Sequence, residues 1–257
     1  MNNKQIQDFV KNYRPFGGGA LDANRVLNDI GLLLTMQGVR GFFASLCNLI
    51  SDLVEIEQTD CSKKISSIGE IFNKNKSDKA GPRHRYDLVY HEVFKQFDKD
   101  SKLNILEIGL GTNNPDTVSH MGLKGRVGAS LFAYQEYFPN AKIFGADIDS
   151  RILFNHGNIK TAYVDQLDFE TFDQMHKDLG CPVLDVFIED GLHSVTASLN
   201  SLNYGLNNVK KGGFIILEDL TNVDKIWQSI ATIVKRTRNL DSVKLIDSGG
   251  LMLVIKV

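Results

Sequence analysis

The sequence predicts an α/β protein built on a doubly wound, mostly parallel sheet with helices on both faces. Three observations predict this. From residue 103 onward, short apolar runs alternate with helical patterns, which is typical of strand–helix–strand units. The runs are almost continuously apolar, as in strands that are buried on both faces. The final segment, 242–257, reads as two strands around Ser-Gly-Gly and predicts an antiparallel hairpin.

Seven strands are expected, five from the apolar runs and two from the terminal hairpin. Each run is short, rich in β-branched residues, Leu or Phe, and closed by glycine or acidic residues. The five runs span residues 103–109, 141–147, 160–165, 184–190 and 212–219. Helical spacing of apolar residues predicts helices over 87–97, 129–137, 169–179 and 194–209.

The chain before this region predicts a helical N-terminal extension over residues 1–76. Apolar residues recur at helical spacing between Leu27 and Leu53, and no convincing alternating strand pattern occurs before residue 75. The extension is expected to pack on the main domain, and a substrate lid or an oligomer interface, such as that of a homodimer, is a role open to it. Residues 73–86 are polar and basic with a Gly-Pro break, which predicts a loop. The main domain is expected over 77–257.

Composition restricts the class of protein. The 257 residues are 42% hydrophobic and 23% charged, which fits a globular domain rather than a disordered or fibrous chain. Lys and Arg number 29 against 31 Asp and Glu, so nothing in the overall charge favours nucleic acid or a membrane as a partner. Three widely spaced cysteines without a CxxC pair exclude a disulfide scaffold and disfavour a zinc knuckle. The start of the chain has no signal-peptide pattern, so a cytoplasmic protein is expected.

A glycine-containing turn follows the first predicted strand. Glu107, Gly109 and Gly111 lie in the segment EIGLGT, and ligands of open α/β sheets bind beyond the carboxyl ends of the strands. Asn114 stands where the dinucleotide fingerprint would require its third glycine. A tight strand-to-helix turn is the structural alternative, but Glu107 is well placed to act on an ammonium group, directly or through water. The segment therefore predicts a ligand site.

Acidic and amide residues follow the next two strands. Asp147 ends the second strand, where a carboxylate can accept hydrogen bonds from two ribose hydroxyls. Asp149 competes for that role, and a helix cap or turn is the alternative for either residue. Asp165 and Gln166 follow the third strand and could meet an adenine amino group, although turn residues after strands are often Asp.

The fourth and fifth strands end in acids. Glu189, Asp190 and His193 follow one strand, and Glu218 with Asp219 follows the other. If these strands are neighbours, their ends lie about 5 Å apart, and a divalent cation would relieve the repulsion between the carboxylates. Hard oxygen ligands favour Mg²⁺, Mn²⁺ or Ca²⁺. The pattern predicts metal ligation by Asp190, Glu218 and Asp219 with His193 as general base, against the alternative of solvated loop acids.

These segments together resemble a known family. EIGLGT, GADID, VDQLD, EDGLH and GGFIILEDL are similar to the motifs of class I S-adenosylmethionine-dependent methyltransferases, above all the macrocin-type, metal-dependent O-methyltransferases that act on sugars. SDKAGPRHRYDLVYHEVF, at 77–94, resembles the segment that precedes the cofactor domain in that group. Similar methyltransferases modify bacterial capsular polysaccharide, including its O-methyl phosphoramidate groups. The resemblance covers residues 77–220.

The resemblance implies a Rossmann-like fold and an S-adenosylmethionine-dependent O-methyltransferase, assisted by Mg²⁺ or Mn²⁺, for a small sugar- or phosphate-containing substrate. It implies that Glu107, Gly109 and Gly111 hold the methionine end of the cofactor, that Asp147 binds the ribose, and that Asp165 and Gln166 approach the adenine. It implies a metal held by Asp190, Glu218 and Asp219. It also implies that His193 is the base, with Asp190 beside it in the catalytic centre. The chain departs from the family at Glu189 and Leu192, where Asp and Ser are common.

Rival functions fit parts of the same pattern. A nicotinamide-dependent oxidoreductase uses a similar sheet, but the missing third glycine and the terminal hairpin disfavour it. A non-catalytic cofactor-binding protein would keep the same glycine turn, and a metal-dependent hydrolase or hydroxylase would use the same acidic strand ends. The segment around Lys79 is basic and also contains Lys74, Lys76, Arg83, His84 and Arg85. It is either a solvated loop or a contact for a phosphate-bearing substrate. Lys79 and His84 could instead touch the cofactor or order a lid.

Overall fold

The computed structural model describes residues 50, 52–221 and 225–257. They form a nine-stranded sheet with six α-helices packed on it. The strands are β1 (Ile56–Gln58), β2 (Asn104–Ile108), β3 (Lys142–Asp147), β4 (Asn155–His156), β5 (Ile159–Tyr163), β6 (Leu184–Glu189), β7 (Val209–Leu217), β8 (Ser242–Asp247) and β9 (Leu251–Lys256). The helices are α1 (Ser67–Asn75), α2 (Tyr86–Phe94), α3 (Ala129–Tyr137), α4 (Glu170–Leu179), α5 (Val195–Asn208) and α6 (Ile226–Thr237).

The strand order explains where a ligand can bind. Across the sheet it runs β1-β8-β9-β7-β6-β2-β3-β5-β4. The five central strands, β7, β6, β2, β3 and β5, are parallel, and β9 runs antiparallel to both β7 and β8. From β2 the chain passes outward to β3 and β5, then returns to β6 on the other side of β2. Strand order reverses there, which opens a crevice beyond the carboxyl ends of β2 and β6.

All seven expected strands are present, so the predicted doubly wound sheet with its terminal hairpin is confirmed. The expected number was wrong, because β1 and β4 add an edge strand at each side. These strands have three and two residues, which is too short for a period of two to stand out in a sequence.

Two hydrophobic cores cover the faces of the sheet. α1, α2 and α3 pack on one face, where Phe72, Tyr90 and Tyr134 are fully buried. α4, α5 and α6 pack on the other, around Phe172 and Trp227. Every residue of β6 is buried, as expected for a central strand covered on both sides. Within the described ranges, no helix has the length and apolar character needed to cross a bilayer.

The described part of the predicted N-terminal extension contains a short strand as well as a helix. Of the predicted helical extension, residues 1–49 lie outside the described residues. The described part contains β1, which pairs in parallel with β8, and α1, whose N-cap Ser66 accepts a hydrogen bond from the Gly69 amide through Oγ at 3.2 Å. The predicted loop at 73–86 is partly wrong, because α1 continues to Asn75 and a 3₁₀ turn occupies Asp78–Ala80.

The terminal hairpin fixes the segment 78–86 over the carboxyl edge of the sheet. The Arg85 amide donates to the Ser248 carbonyl at 2.8 Å, and the Ser248 hydroxyl donates to the Arg85 carbonyl at 2.7 Å. At Gly250 the approach is so close that an added Cβ would lie 1.9 Å from the Tyr86 hydroxyl oxygen and 2.9 Å from Asp219 Oδ1. The turn between β8 and β9 therefore needs glycine at this position.

We expect Gly250→Ala to lower the free energy of unfolding by about 1–3 kcal/mol, because the new methyl group overpacks a buried tyrosine. Gly81→Ala is the matched control. Gly81 has φ −93°, and an added Cβ would meet only the Asp78 carbonyl oxygen at 3.6 Å, so its stability should be unchanged or higher by up to about 1 kcal/mol. Urea unfolding of both variants measures the difference, and equal stabilities would contradict the packing argument.

Candidate active site

A cavity of about 430 Å³ lies at the crevice beyond the carboxyl ends of the central strands. Residues after four different strands line it, including Gly109, Asp147, Asp165 and Asp190. Gly111 and Gln166 also belong to its wall. The strand order thus brings together most of the residues that the sequence predicted for cofactor binding.

Gly109 allows two strand ends to meet. Its backbone has φ 97°, and an added Cβ would lie 2.0 Å from the Asp190 carbonyl oxygen. Its amide donates to the Ala146 carbonyl at 2.8 Å. Only glycine combines this left-handed conformation with such close backbone contact, so the predicted turn is a tight junction between β2, β3 and β6 as well as part of the cavity wall.

Asp147 and Asp149 have different roles. Asp147 accepts the Leu110 amide at 2.8 Å and the Asp149 amide at 2.9 Å, one on each carboxylate oxygen, which leaves further lone pairs for a ligand. Burial raises its pKa above the usual value. Asp149 binds Arg151 Nε at 2.7 Å and the Thr112 hydroxyl at 2.6 Å, and the hydrogen bond from Arg151 lowers its pKa. Asp149 therefore anchors the loop over the cavity, and Asp147 is the better candidate for ribose.

The side chains of Asp165 and Gln166 also have different surroundings. Both line the cavity, but the Gln166 side chain is engaged inside the protein. Its Nε2 donates to Glu189 Oε1 and to the Ser201 hydroxyl, each at 2.8 Å, and its Oε1 accepts the Leu192 amide at 2.8 Å. The side-chain amide thus holds the turn after β6, and the expected approach of Gln166 to adenine stays a prediction.

A second cavity of about 330 Å³ adjoins the first. Gly109, Gly111, Ser119 and Asp190 belong to the walls of both. The second cavity adds His193 and Asp219, and on its rim the cationic residues Lys76, Arg83 and Arg126. A group bound in the first cavity and a group bound in the second would therefore meet at Asp190.

Asp190, His193 and Asp219 form a cluster whose ligand atoms all lie within 4.8 Å of one another. His193 Nε2 is 3.9 Å from Asp190 Oδ1, which is beyond hydrogen-bonding distance. His193 and Asp219 both have left-handed backbones, with φ 54° and 51°, and such residues concentrate at functional sites. The two carboxylates offer the oxygen ligands that a hard divalent cation prefers, with the imidazole beside them, so this cluster fits the metal that the resemblance implies.

Glu218 is bound to neighbouring side chains inside the protein, and its predicted metal ligation stays a prediction. Its Oε2 accepts from Lys79 Nζ at 2.6 Å, and its Oε1 accepts from the Tyr90 hydroxyl. The carboxylate is 1% exposed, and it lies outside the cluster of Asp190, His193 and Asp219. Burial raises the pKa of Glu218 well above its usual range, although Lys79 opposes that shift. The left-handed backbone of Asp219, with φ 51°, interrupts the extended chain after β7, and the Glu218 and Asp219 carboxylates lie in different surroundings.

The buried position of Lys79 is the feature of the site that the sequence predicts least well. Its ammonium lies 2.6 Å from Asp190 Oδ2, 2.6 Å from Glu218 Oε2 and 3.3 Å from Glu107 Oε1, and its side chain is 2% exposed. Burial opposes the charge, but Asp190 and Glu218 raise the pKa of Lys79 well above its usual range. Nothing in the local sequence marks Lys79 apart from the other lysines of its segment.

Glu107 points toward this same network. Its carboxylate accepts hydrogen bonds from the Ser130 hydroxyl and, at 3.1 Å, from the Tyr134 hydroxyl. It is fully buried and is absent from the walls of the two cavities, and burial raises its pKa. Glu107 also lies 3.3 Å from the Lys79 ammonium, and its expected role at the methionine end of a cofactor stays a prediction.

The residues of the basic segment lie partly on the rim of the second cavity and partly inside the protein. Lys76 and Arg83 are on the rim of the second cavity. Arg85 is buried, with Nε 2.9 Å from Asp87 Oδ1, and it also donates to backbone carbonyls of residues 61–64. His84 is 6% exposed, and its Nδ1 lies 3.8 Å from Asp219 Oδ1. Only part of the predicted basic loop is therefore available to a substrate.

The chain is similar to enzymes that methylate sugars. It is 26% identical over 168 residues to the 8-demethyl-8-(2-methoxy-alpha-L-rhamnosyl)-tetracenomycin-C 3'-O-methyltransferase of Streptomyces olivaceus, covering 65% of this chain and 40% of the relative. It is 26% identical over 161 residues to the mycinamicin VI 2''-O-methyltransferase of Micromonospora griseorubida, covering 62% and 37%. It is 31% identical over 144 residues to the L-olivosyl-oleandolide 3-O-methyltransferase of Streptomyces antibioticus, covering 56% and 34%. No family model matches the chain.

Solved structures agree on the fold. MycE methyltransferase from the mycinamycin biosynthetic pathway, in complex with Mg and SAH, aligns with a TM-score of 0.60 at 20% identity, covering 75% of this chain and 55% of that one. The predicted methyltransferase Rossmann-like fold is thus confirmed, as is the resemblance to sugar O-methyltransferases. Because the chain spans only 34–40% of the length of the curated relatives, their activities are not carried over by similarity alone.

We expect Lys79→Met to destabilise the fold by about 3–5 kcal/mol, because it leaves buried carboxylates without their cation. The loss should grow between about pH 5 and pH 8. Glu107 and Glu218 have raised pKa values in the folded state, so the fold loses stability as pH rises through those values, and removal of Lys79 strengthens this effect.

Lys74→Met is the control. Lys74 pairs with Glu136 at 2.6 Å on the surface, where an ion pair contributes only about 0–1 kcal/mol. Urea unfolding at both pH values measures the two variants. An equal loss in both, or a loss at Lys79 that shrinks with rising pH, would contradict the assignment of Lys79 as the compensating charge.

Proposed function

We propose that this chain is an S-adenosylmethionine-dependent O-methyltransferase, assisted by a divalent cation, for a small sugar- or phosphate-containing acceptor. One observation carries the proposal: the cavity with Asp147 and Asp165 and the cavity with His193 and Asp219 share a wall at Gly109 and Asp190. A methyl donor in the first cavity would face an acceptor oxygen in the second. The similarity to sugar O-methyltransferases supports this interpretation.

The first cavity would bind the cofactor through groups that suit its parts. Asp147 offers carboxylate oxygens to the ribose hydroxyls, and Asp165 offers one to the adenine amino group. Gly109 and Gly111 let the backbone approach the methionine end. Glu107 and Gln166 act as positioning residues, since their side chains hold Lys79 and the turn after β6.

Methyl transfer requires alignment of the acceptor and removal of its proton. Alignment of two bound groups contributes several kcal/mol, up to about 7–11 in favourable cases. His193 would accept the proton from the acceptor hydroxyl, since histidine is the side chain that most often serves as a general base. Asp190 and Asp219 would hold Mg²⁺ or Mn²⁺, which lowers the pKa of a bound hydroxyl and fixes its direction. Either ion suits the proposed site, because carboxylate oxygens bind both.

The rim of the second cavity favours an anionic acceptor. Lys76, Arg83 and Arg126 line it, and guanidinium and ammonium groups suit phosphate oxygens. We therefore include a hydroxyl of a sugar phosphate and the oxygen of a phosphoramidate among the acceptors, and capsular polysaccharide modification as the setting. The proposal assumes a cytoplasmic enzyme that acts on small molecules, without nucleic acid or a membrane. The part of the predicted N-terminal extension that precedes β1 is proposed as its lid or homodimer interface.

The cofactor assignment is tested by calorimetric titration with S-adenosylmethionine and with NAD. We expect binding of the first alone, and Asp147→Asn should weaken it by at least about 10-fold, because a buried carboxylate acceptor is lost. Asp168→Asn is the matched control, since Asp168 is exposed and its side chain accepts the Glu170 amide at 3.1 Å. Binding of NAD in place of S-adenosylmethionine would refute the proposed function.

The base assignment is tested with His193→Ala. Release of S-adenosylhomocysteine is measured over a panel of sugars, sugar phosphates and phosphoramidates. With an acceptor that turns over in the wild type, the variant should lose about 10²–10⁴-fold in rate while S-adenosylmethionine affinity changes little. His156→Ala, on the exposed strand β4, should keep the wild-type rate. Full activity of the His193 variant would assign the base elsewhere.

A further inference from the structure

We infer that Arg126, held in place by Phe132 and Asn75, is an oxyanion receptor at the rim of the second cavity and binds a phosphate group of the methyl acceptor. The inference rests on the proposed function, because it takes the second cavity as the place of the acceptor. It deepens that proposal by assigning the phosphate to one residue and by making the phosphate a determinant of which acceptors react.

Aromatic stacking holds the guanidinium of Arg126. Its Cζ lies 4.4 Å from the centre of the Phe132 ring. The Phe132 ring is itself stacked on Phe154, with centroids 5.5 Å apart and 6° between the two planes. A guanidinium is stabilised on an aromatic face. Arg126 therefore has less side-chain freedom to lose on binding a ligand than an unstacked arginine has.

Asn75 fixes the orientation of the stacked guanidinium. Arg126 Nη1 donates to Asn75 Oδ1 at 3.0 Å. Asn75 is 8% exposed, and its Nδ2 donates at 3.1 Å to the Ile71 carbonyl and to Glu136 Oε2. Since both amide hydrogens are used, Oδ1 is the side-chain atom that remains for Arg126. A buried asparagine thus orients an exposed cation.

The other donors of Arg126 are available to an anion. A guanidinium has five N–H donors. Within the described part of the chain, Arg126 donates through Nη1 alone, to the side chain and the carbonyl of Asn75. Asn75 is neutral, so it does not compensate the charge. The donors on Nε and Nη2 form a fork that matches two oxygens of a phosphate.

The N-terminus of α3 adds positive potential beside Arg126. Ala129 and Ser130, the first two residues of α3, belong to the wall of the second cavity together with Arg126. The N-cap is Gly128, which has no side chain to cap the helix, and the first turn has no acidic residue. The helix dipole therefore acts on the cavity without a compensating carboxylate of its own.

The other charges in this wall also suit an anion. Among the described lining residues there are three acids, and two of them belong to the cluster that contains His193. The third is Asp78, and Lys76 and Arg83 join Arg126 as exposed cations. A phosphate would meet complementary charge at this rim, while a hydroxyl of the same acceptor lies at the cluster.

A carboxylate offers the same recognition chemistry as a phosphate, and the methyl donor carries one at its methionine end. Arg126 lines the second cavity and is absent from the described wall of the first, to which Asp147 and Asp165 belong. This placement favours the phosphate of the acceptor. Binding of the two groups is measurable separately, because S-adenosylhomocysteine carries the carboxylate and no phosphate.

The first test is titration of the full chain with inorganic phosphate, without methyl donor, followed by the phosphorus NMR signal. We expect Arg126→Met to weaken binding at least about 10-fold, because a charge-assisted bidentate contact is lost. Lys124→Met is the matched control. Lys124 is an exposed cation of the same loop outside the described wall of the cavity, so its affinity should equal that of the wild type. Equal affinity in Arg126→Met, or a wild type that binds no phosphate, would overturn the inference.

Removal of the aromatic support tests how the receptor is held. Phe132→Leu keeps the charge of Arg126 and should weaken phosphate binding about 2–5-fold. Phe169→Leu is the control, since Phe169 belongs to another stacked pair and lies outside the described wall of the cavity. A loss of the same size in both variants, or in neither, contradicts a receptor held by Phe132.

Titration with S-adenosylhomocysteine identifies the source of the oxyanion. We expect Arg126→Met to change this affinity by less than about 2-fold, because the first cavity does not include Arg126. A loss of about 10-fold or more would assign the carboxylate of the donor to Arg126 and overturn the assignment to the acceptor.

Turnover tests the effect on acceptor choice. The ratio of kcat/KM for a phosphate ester to that for its parent sugar is compared between the wild type and Arg126→Met. The variant should lower this ratio at least about 10-fold, chiefly through KM for the ester. An unchanged ratio, or a wild type that prefers the parent sugar, would overturn the inference.

The two proposals fail separately. Phosphate binding that depends on Arg126, in a chain that transfers no methyl group, would refute the proposed function and leave the oxyanion receptor standing. Methyl transfer that is indifferent to Arg126 and to phosphate would do the reverse. If Arg126→Met does not fold, the comparison of Phe132→Leu with Phe169→Leu still decides.

Discussion

The buried ammonium of Lys79 is the interaction on which the candidate site depends. It is in contact with carboxylates from the carboxyl ends of three parallel strands: Glu107 in β2, Asp190 after β6 and Glu218 after β7. Burial of several like charges is unfavourable unless they are paired. Lys79 and its partners lie far apart in the sequence. Their contacts therefore connect the 78–86 segment to these strand ends. The hydroxyls of Tyr90 and Tyr134, from α2 and α3, complete the network.

Strand order and backbone conformation then divide the edge of the sheet into two cavities. Gly109 lets β2 come within contact of the Asp190 carbonyl, so the shared wall between the cavities is thin. His193 and Asp219 reach the second cavity through left-handed backbones, which short polar residues adopt more readily than branched ones. A donor and an acceptor bound in the adjoining cavities would meet beside the residues that line both, and close approach of the reacting atoms is what a direct group transfer needs.

The sequence predicts the parallel sheet well because burial on both faces leaves a continuous apolar run, as in β6. It also places the strand-end residues at one edge, since parallel strands share their carboxyl ends. It does not predict which way each side chain points. The side chains of Glu107 and Gln166 form hydrogen bonds inside the protein. The Glu218 carboxylate binds Lys79 and lies outside the cluster of Asp190, His193 and Asp219. Local sequence gives no sign of the partners that decide these orientations, because the partners come from other segments of the fold.

Asp190 is in contact with, or close to, Lys79, the candidate base and the turn after β2. Its Oδ2 binds Lys79, its Oδ1 faces His193, and its carbonyl lies against Gly109. Lys79 belongs to a segment that the β8–β9 turn holds in place through Ser248 and Arg85. A displacement of that turn would thus be transmitted through Lys79 to the carboxylate beside the candidate base. The terminal hairpin contributes no residue to the cluster of Asp190, His193 and Asp219. It nevertheless supports the candidate site, because Gly250 packs against Tyr86, whose hydroxyl donates to Asp219.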